Sequence, residues 1–211
     1  MKSRDNLQPS KLQSLIVHLV KELDDVLRVK LAKLIYLIDW EHYCTYAKTL
    51  TDSQYTRQEM GPLAIGLAWD VDYLDGHEIL VEKTPSSGYH HTLGHKPRFE
   101  PNFNILEKGT IQTILNRYGK YGNTTLKKIA YKTEPMKDIL EKEKKIGCKL
   151  IGAQMIFTKF PHKNLLAKYC SRAQKLDFSV KGSATDRILE EEELYRATAK
   201  YRKKVNTEVL S

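Results

Sequence analysis

Histidine is the first residue type in this chain with the means to do chemistry. His77, His90, His91 and His95 crowd into one short stretch, and imidazole is a common metal ligand. A metal centre needs ligands converging from fixed geometry, usually with a carboxylate or thiolate among them. A strand at Tyr89–Leu93 would instead send His90 and His91 to opposite faces, so the stretch reads as a polar hairpin and no metal ligand is assigned. His42 beside Glu41 belongs to no H-E-x-x-H pattern. Cys44 and His42 lie two apart on a helix and do not face each other, which removes a thiolate–imidazole pair. Ser10, Ser53 and Ser183 sit in no G-x-S-x-G elbow, and neither glycine-rich phosphate-binding pattern occurs. Glu190–Glu193 would need a cleft to work as acid or base, and they read as the solvated start of a helix. No catalytic residue and no cofactor is assigned, and the expectation is a protein that is not an enzyme.

Binding chemistry has more support. Between Thr113 and Lys149 ten lysines and arginines stand against four acids, which concentrates most of the net charge of +9 in fewer than a fifth of the 211 residues. Arg117, Tyr118, Lys120, Tyr121, Lys127, Lys128, Tyr131 and Lys132 interleave basic and aromatic side chains. Such a patch can neutralise phosphates and stack bases, or meet an acidic protein; equally, it can be a lysine-rich solvated surface. No nucleic-acid-binding motif accompanies it, so nucleic acid stays an alternative unsupported by motif.

A second constellation lies upstream. Tyr36, Asp39, Trp40 and Tyr43 fall at i, i+3, i+4 and i+7 and share one helix face. Asp39 can accept hydrogen bonds from the aromatic polar groups. Two readings stand side by side. The face is a polar-aromatic core element that fixes how the Gly61-Pro62 turn docks, or it is a half-exposed hot spot that grips a partner.

The elements that must position these residues are mainly helical. Ser10 caps a helix carrying Leu12, Leu15, Ile16, Leu19, Val20 and Leu23, and Asp24-Asp25 ends it. A second helix is expected from about Val26 to Lys48, apolar on too many sides to be a surface helix. A short strand at Gln54–Met60 precedes a helix at about Pro62–Tyr73, with Pro62 in its first turn. Ile79–Val81 and Tyr89–Leu93 form a hairpin. Helices follow at about Ile105–Tyr118, Thr124–Tyr131 and Pro135–Lys145. Residues 148–160 read as strand or loop, and further helices are expected from Pro161 to about Gln174 and at about 185–205. Cys44, Cys148 and Cys170, an odd set without CxxC spacing, suit a reducing cytoplasm. The longest apolar runs are too short for a membrane helix, and no signal core follows Met1.

Particular motifs carry a family resemblance. Lys30–Tyr43 contains a K-L-x-Y-x-x-D-x-x-x-Y pattern, followed by Leu50-Thr51-Asp52, Tyr55 and Met60-Gly61-Pro62. In order and spacing this resembles the Panacea domain, the SocA-like or DUF4065 family. A later echo runs through Ala130-Tyr131-Lys132-Thr133-Glu134-Pro135-Met136, where Tyr131 and Met136 replace the family's histidine and tryptophan. The resemblance implies a compact helical domain over residues 10–145 with a small β-hairpin or sheet. Residues 146–211 are then a member-specific, partly helical extension. It also implies a bacterial or phage antitoxin that binds a cognate protein toxin, typically encoded beside it. A nucleic-acid-binding regulator and a protease adaptor delivering a toxin are the alternatives. The family-motif residues are Tyr36, Asp39, Trp40, Tyr43, Tyr55, Gly61 and Pro62. Arg117, Lys120, Lys127, Lys128, Tyr195 and Tyr201 are the candidate partner surface. The sequence leaves the oligomeric state open.

Overall fold

The computed structural model describes residues 9–83, 89–93 and 101–162. Helix α1 (Lys11–Leu23) starts at Ser10, whose hydroxyl accepts from the Gln13 N–H while the Gln13 side chain takes the Ser10 N–H. This reciprocal cap satisfies two otherwise orphaned donors. One face of α1 buries Leu12, Leu15, Ile16, Leu19 and Val20. Asp24, at φ +52°, turns the chain. Val26–Leu27 then form an extended pair, β1, where the sequence pattern places the start of the second helix. They are extended because they pair with His91 and His90 of a later strand.

Helix α2 (Arg28–Tyr46) is buried without a break from Leu31 to Trp40. It packs against α1 and three elements described below, which accounts for its lack of a polar face. Ala47 closes it in the left-handed conformation.

Strands β2 (Tyr55–Gln58) and β3 (Gly61–Ala64) form a hairpin joined by Glu59-Met60, with Gln58 opposite Gly61 and Arg57 opposite Pro62. Pro62 therefore lies in a strand, not in the first turn of a helix. Its missing N–H is tolerated because β3 is an edge strand of a three-stranded sheet with β2 at its centre. Helix α3 (Leu67–Gly76) begins only after Gly66, at φ +89°.

The expected hairpin of β4 (Leu80–Lys83) and β5 (His90–Leu93) is present in antiparallel register. With β1 it makes a second sheet, ordered β1-β5-β4. Helices α4 (Ile105–Tyr118), α5 (Asn123–Ala130) and α6 (Glu134–Ile146) follow. Both α4 and α5 pack on α2, as does β3. Strand β6 (Gln154–Met155) joins β2, and a single 3₁₀ turn spans Phe157–Lys159. The result is mainly α with two small antiparallel sheets.

The core does not stop at residue 145, since Met155 and Phe157 are buried in it. The helices expected from Pro161 to about Gln174 and at 185–205, with Tyr195 and Tyr201, lie outside the described residues. No described helix is long and apolar enough to cross a membrane.

Candidate functional site

The residues of the K-L-x-Y-x-x-D-x-x-x-Y pattern line up along α2, and almost every one is spent on an internal bond. Asp39 is fully buried. Its carboxylate accepts from the backbone N–H groups of Leu50 (2.7 Å) and Thr51 (2.9 Å), from the Thr51 hydroxyl, and from the Tyr55 hydroxyl at 2.6 Å. Burial raises its pKa above the usual carboxylate range, and the four donors oppose that rise. Asp39 thus pins the start of the 50–55 connection onto the central helix.

Tyr36 works one turn earlier. Its hydroxyl lies 2.6 Å from the Thr133 hydroxyl, which itself donates to Ala130 O at 2.7 Å. Thr133 has spent its own hydrogen, so Tyr36 is the donor. Burial pushes the Tyr36 phenol well up from its ordinary value. Tyr43 donates to Phe160 O at 3.1 Å. The rings form a continuous cluster: Tyr55 stacks on Phe157 at 5.4 Å, and Trp40 meets Phe157 edge-on at 5.2 Å and stacks with Tyr43 at 5.8 Å. Of the two readings of this face, the core element is the one the geometry supports.

The Gly61-Pro62 step docks on the same helix. Lys33, the first residue of the pattern, reaches Pro62 O at 2.8 Å. Lys33 is 2% exposed. Burial, reinforced by the positive charges of Lys127 and Arg57, lowers its pKa to about 8. Gly61 has φ +100°, and a Cβ built there would stand 2.7 Å from Cε1 of Tyr131. Only glycine fits both demands. The Tyr131 ring is held by the Arg57 guanidinium and the Lys127 ammonium, each 5.5 Å from its centre. Arg57 is itself buried and bonded to Glu143 at 3.1 Å. Tyr131, standing where the resembling family has histidine, therefore packs as a lid over the glycine. Met136 is simply buried in the core.

Of the candidate partner surface, Arg117, Lys120, Lys127 and Lys128 lie among the described residues. Arg117 lies over Tyr118 near the end of α4, and Lys127 and Lys128 occupy the last turn of α5. Cations there suit the helix dipole, which gives them a structural role as well. Lys120 and Lys128 are exposed, whereas Arg117 and Lys127 are half-buried. The histidines stay apart in role. His91 is buried with its pKa lowered by burial, His90 pairs with Asp25 at 3.0 Å, and His77 bonds Tyr73 O at 2.7 Å. His95 lies outside the described residues.

Sequence reasoning passed over two features. The first is the burial of Lys33, which nothing in the identity of a lysine marks. The second is a groove of about 560 Å³ between the start of α2, the β2–β3 hairpin and the start of α3. Beside it the chain exposes large apolar side chains: Met60 is 49% exposed and Trp69, on α3, 81%.

A search of curated proteins and a search of solved structures each returned no match. Among protein families, the model described as "Antitoxin SocA-like, Panacea domain" matches residues 31–135. That span opens on α2 two residues before Lys33 and closes at Pro135, two residues past Thr133, so it contains every bond described between Asp39, Tyr36, Lys33 and their partners. Through residues 31–135 the chain belongs to the SocA-like antitoxin, Panacea-domain family.

Proposed function

We propose that this protein is an antitoxin that neutralises a protein toxin by binding it directly, and that it acts as a binding protein and not as an enzyme. The family match over residues 31–135 carries this reading. The structure supports it in a specific way. The motif side chains are consumed in holding α2, the 50–66 segment and the α5–α6 corner together, so partner contact falls to side chains outside the motif. Met60, Ile65 and Trp69 follow one another across the β3–α3 step and are exposed. Large aromatic and Met side chains are favoured at interfaces, where they bring contact area at low entropic cost. A cytoplasmic location accords with this role.

The test is co-expression with the product of the adjacent gene. Restored growth and a co-purifying complex support the reading. Arrest that persists with the protein well expressed contradicts it.

A second reading keeps one observation of its own, the exposed Lys120 between α4 and α5 and the exposed Lys128 in the last turn of α5. They would serve a nucleic-acid-binding regulator, whose affinity falls steeply with salt. A negative shift assay at low salt removes that reading.

A further inference from the structure

The groove beside the β2–β3 hairpin holds an unusual polar group for its walls. Val29, Ala32, Leu63, Leu67 and Met60 line it, and Lys33 lies among them. The Lys33 ammonium carries three N–H groups, yet among the described residues its hydrogen-bond partner is the single carbonyl of Pro62. The charges that act on it, Lys127 and Arg57, are both positive. A buried lysine without a carboxylate is rare, because desolvation is then uncompensated. The nearby acids are engaged elsewhere: Glu59 pairs with Lys149 at 2.8 Å, and Glu82 and Asp72 with Arg28 at 3.6 and 3.8 Å. Asn123 lines the same groove, and its buried Oδ1 has no hydrogen-bond partner. The groove thus lacks an acceptor at Lys33 and a donor at Asn123, between apolar walls.

We infer that this groove is the anchor site for a segment of a protein partner presenting an Asp or Glu side chain beside an apolar residue, with the carboxylate on Lys33 Nζ and a backbone N–H of the segment on Asn123 Oδ1. The inference rests on the reading that the chain binds a protein. A peptide supplies both missing partners and apolar contact from one short stretch. A phosphodiester chain calls for several exposed cations, and those lie on α5 and α6.

The test does not require the toxin. The full chain is immobilised and a display library of random twelve-residue peptides is selected on it; enriched peptides are then synthesised and their affinities measured. The expected consensus is an Asp or Glu next to an apolar residue, with affinity falling about tenfold or more when that acid becomes Asn or Gln. Lys33→Met should weaken binding to a similar degree, while Lys108→Glu, at an exposed position of α4 outside both surfaces, leaves it within about twofold. Met60→Glu, on the exposed rim, places a repelling charge beside the groove without disturbing the core and decides the matter if Lys33→Met does not fold. No enriched sequence, a consensus without an acid, or affinities indifferent to both groove variants would overturn the proposal. If the selection fails while the chain still protects cells from the adjacent gene product, the groove is wrong and the antitoxin reading stands. If the selection succeeds while protection fails, the antitoxin reading is the one lost.

Discussion

The α-carbon of Gly61 faces the ring of Tyr131, so closely that a methyl group at Gly61 would stand 2.7 Å from Cε1 of that ring. Seventy residues apart in sequence, the two close the β2–β3 hairpin against α5. Because φ at Gly61 is +100°, Gly61→Ala meets two costs, a strained backbone and a clash. Its expected effect is a loss of about 2 kcal/mol or more. Tyr131→Ala in the same chain removes the clash but not the strain. A double-mutant cycle by chemical denaturation should therefore return a favourable coupling, with part of the loss unrecovered. Additive effects would show that the two residues do not touch.

Asp39 is the least replaceable side chain of the motif. Asp39→Ala strands the N–H groups of Leu50 and Thr51 and the hydroxyls of Thr51 and Tyr55. Each buried donor left without an acceptor costs about 1–3 kcal/mol, so the variant is expected to unfold or to lose several kcal/mol. Asp39→Asn keeps one acceptor oxygen and should lose less. A melting temperature for Asp39→Ala within a degree or two of wild type would contradict this network.

Tyr36→Phe is a milder change. Thr133 keeps its bond to Ala130 O and loses only the donor from Tyr36, and the ring keeps its edge contact with Tyr55 at 5.2 Å. The expected loss is about 1 kcal/mol, measured by urea denaturation with an unchanged m-value. A loss as large as that of Asp39→Ala would mean that Tyr36 does more than hold Thr133.

Lys33 gives a pH signature. Its pKa is lowered to about 8 in the folded chain, against 10.5 for an ordinary lysine. Between these values the unfolded chain binds the extra proton, so folding becomes more favourable as pH rises through that window. Below it the full cost of the buried charge is present. Lys33→Met removes this dependence. The stability difference between wild type and Lys33→Met should move in favour of wild type by up to about 3 kcal/mol from pH 7.5 to pH 10.5. A difference that stays flat across that range would place the ammonium in solvent.

Periodicity made much of this fold legible before any coordinates. The capped α1, the all-round apolar α2, the β4–β5 hairpin and α4 to α6 each carry a local signal of apolar spacing, cap or turn residue. The differences have two causes. Val26–Leu27 are extended because they pair with a strand more than sixty residues away, and no local pattern reports a long-range pairing. Pro62 pairs with Arg57, only five residues away across the β2–β3 hairpin. Pro62 misleads most, since proline suits both the first turn of a helix and an edge strand. The shared face of Tyr36, Asp39, Trp40 and Tyr43 was readable from spacing. That it is buried against Thr51, Thr133 and Phe157 was not, because those partners lie up to about 120 residues away in other elements. The Lys33 groove left no trace in the sequence, as a lysine in an amphipathic pattern normally reaches solvent.

The most direct test of the antitoxin account is growth under induction of the adjacent gene product, with and without this chain, combined with size-exclusion chromatography of the two proteins. The expected result is arrest by the neighbour alone, growth restored by the chain, and one co-eluting complex that persists at high salt. Continued arrest with the chain folded and abundant, or rescue without any complex, would contradict neutralisation by direct binding.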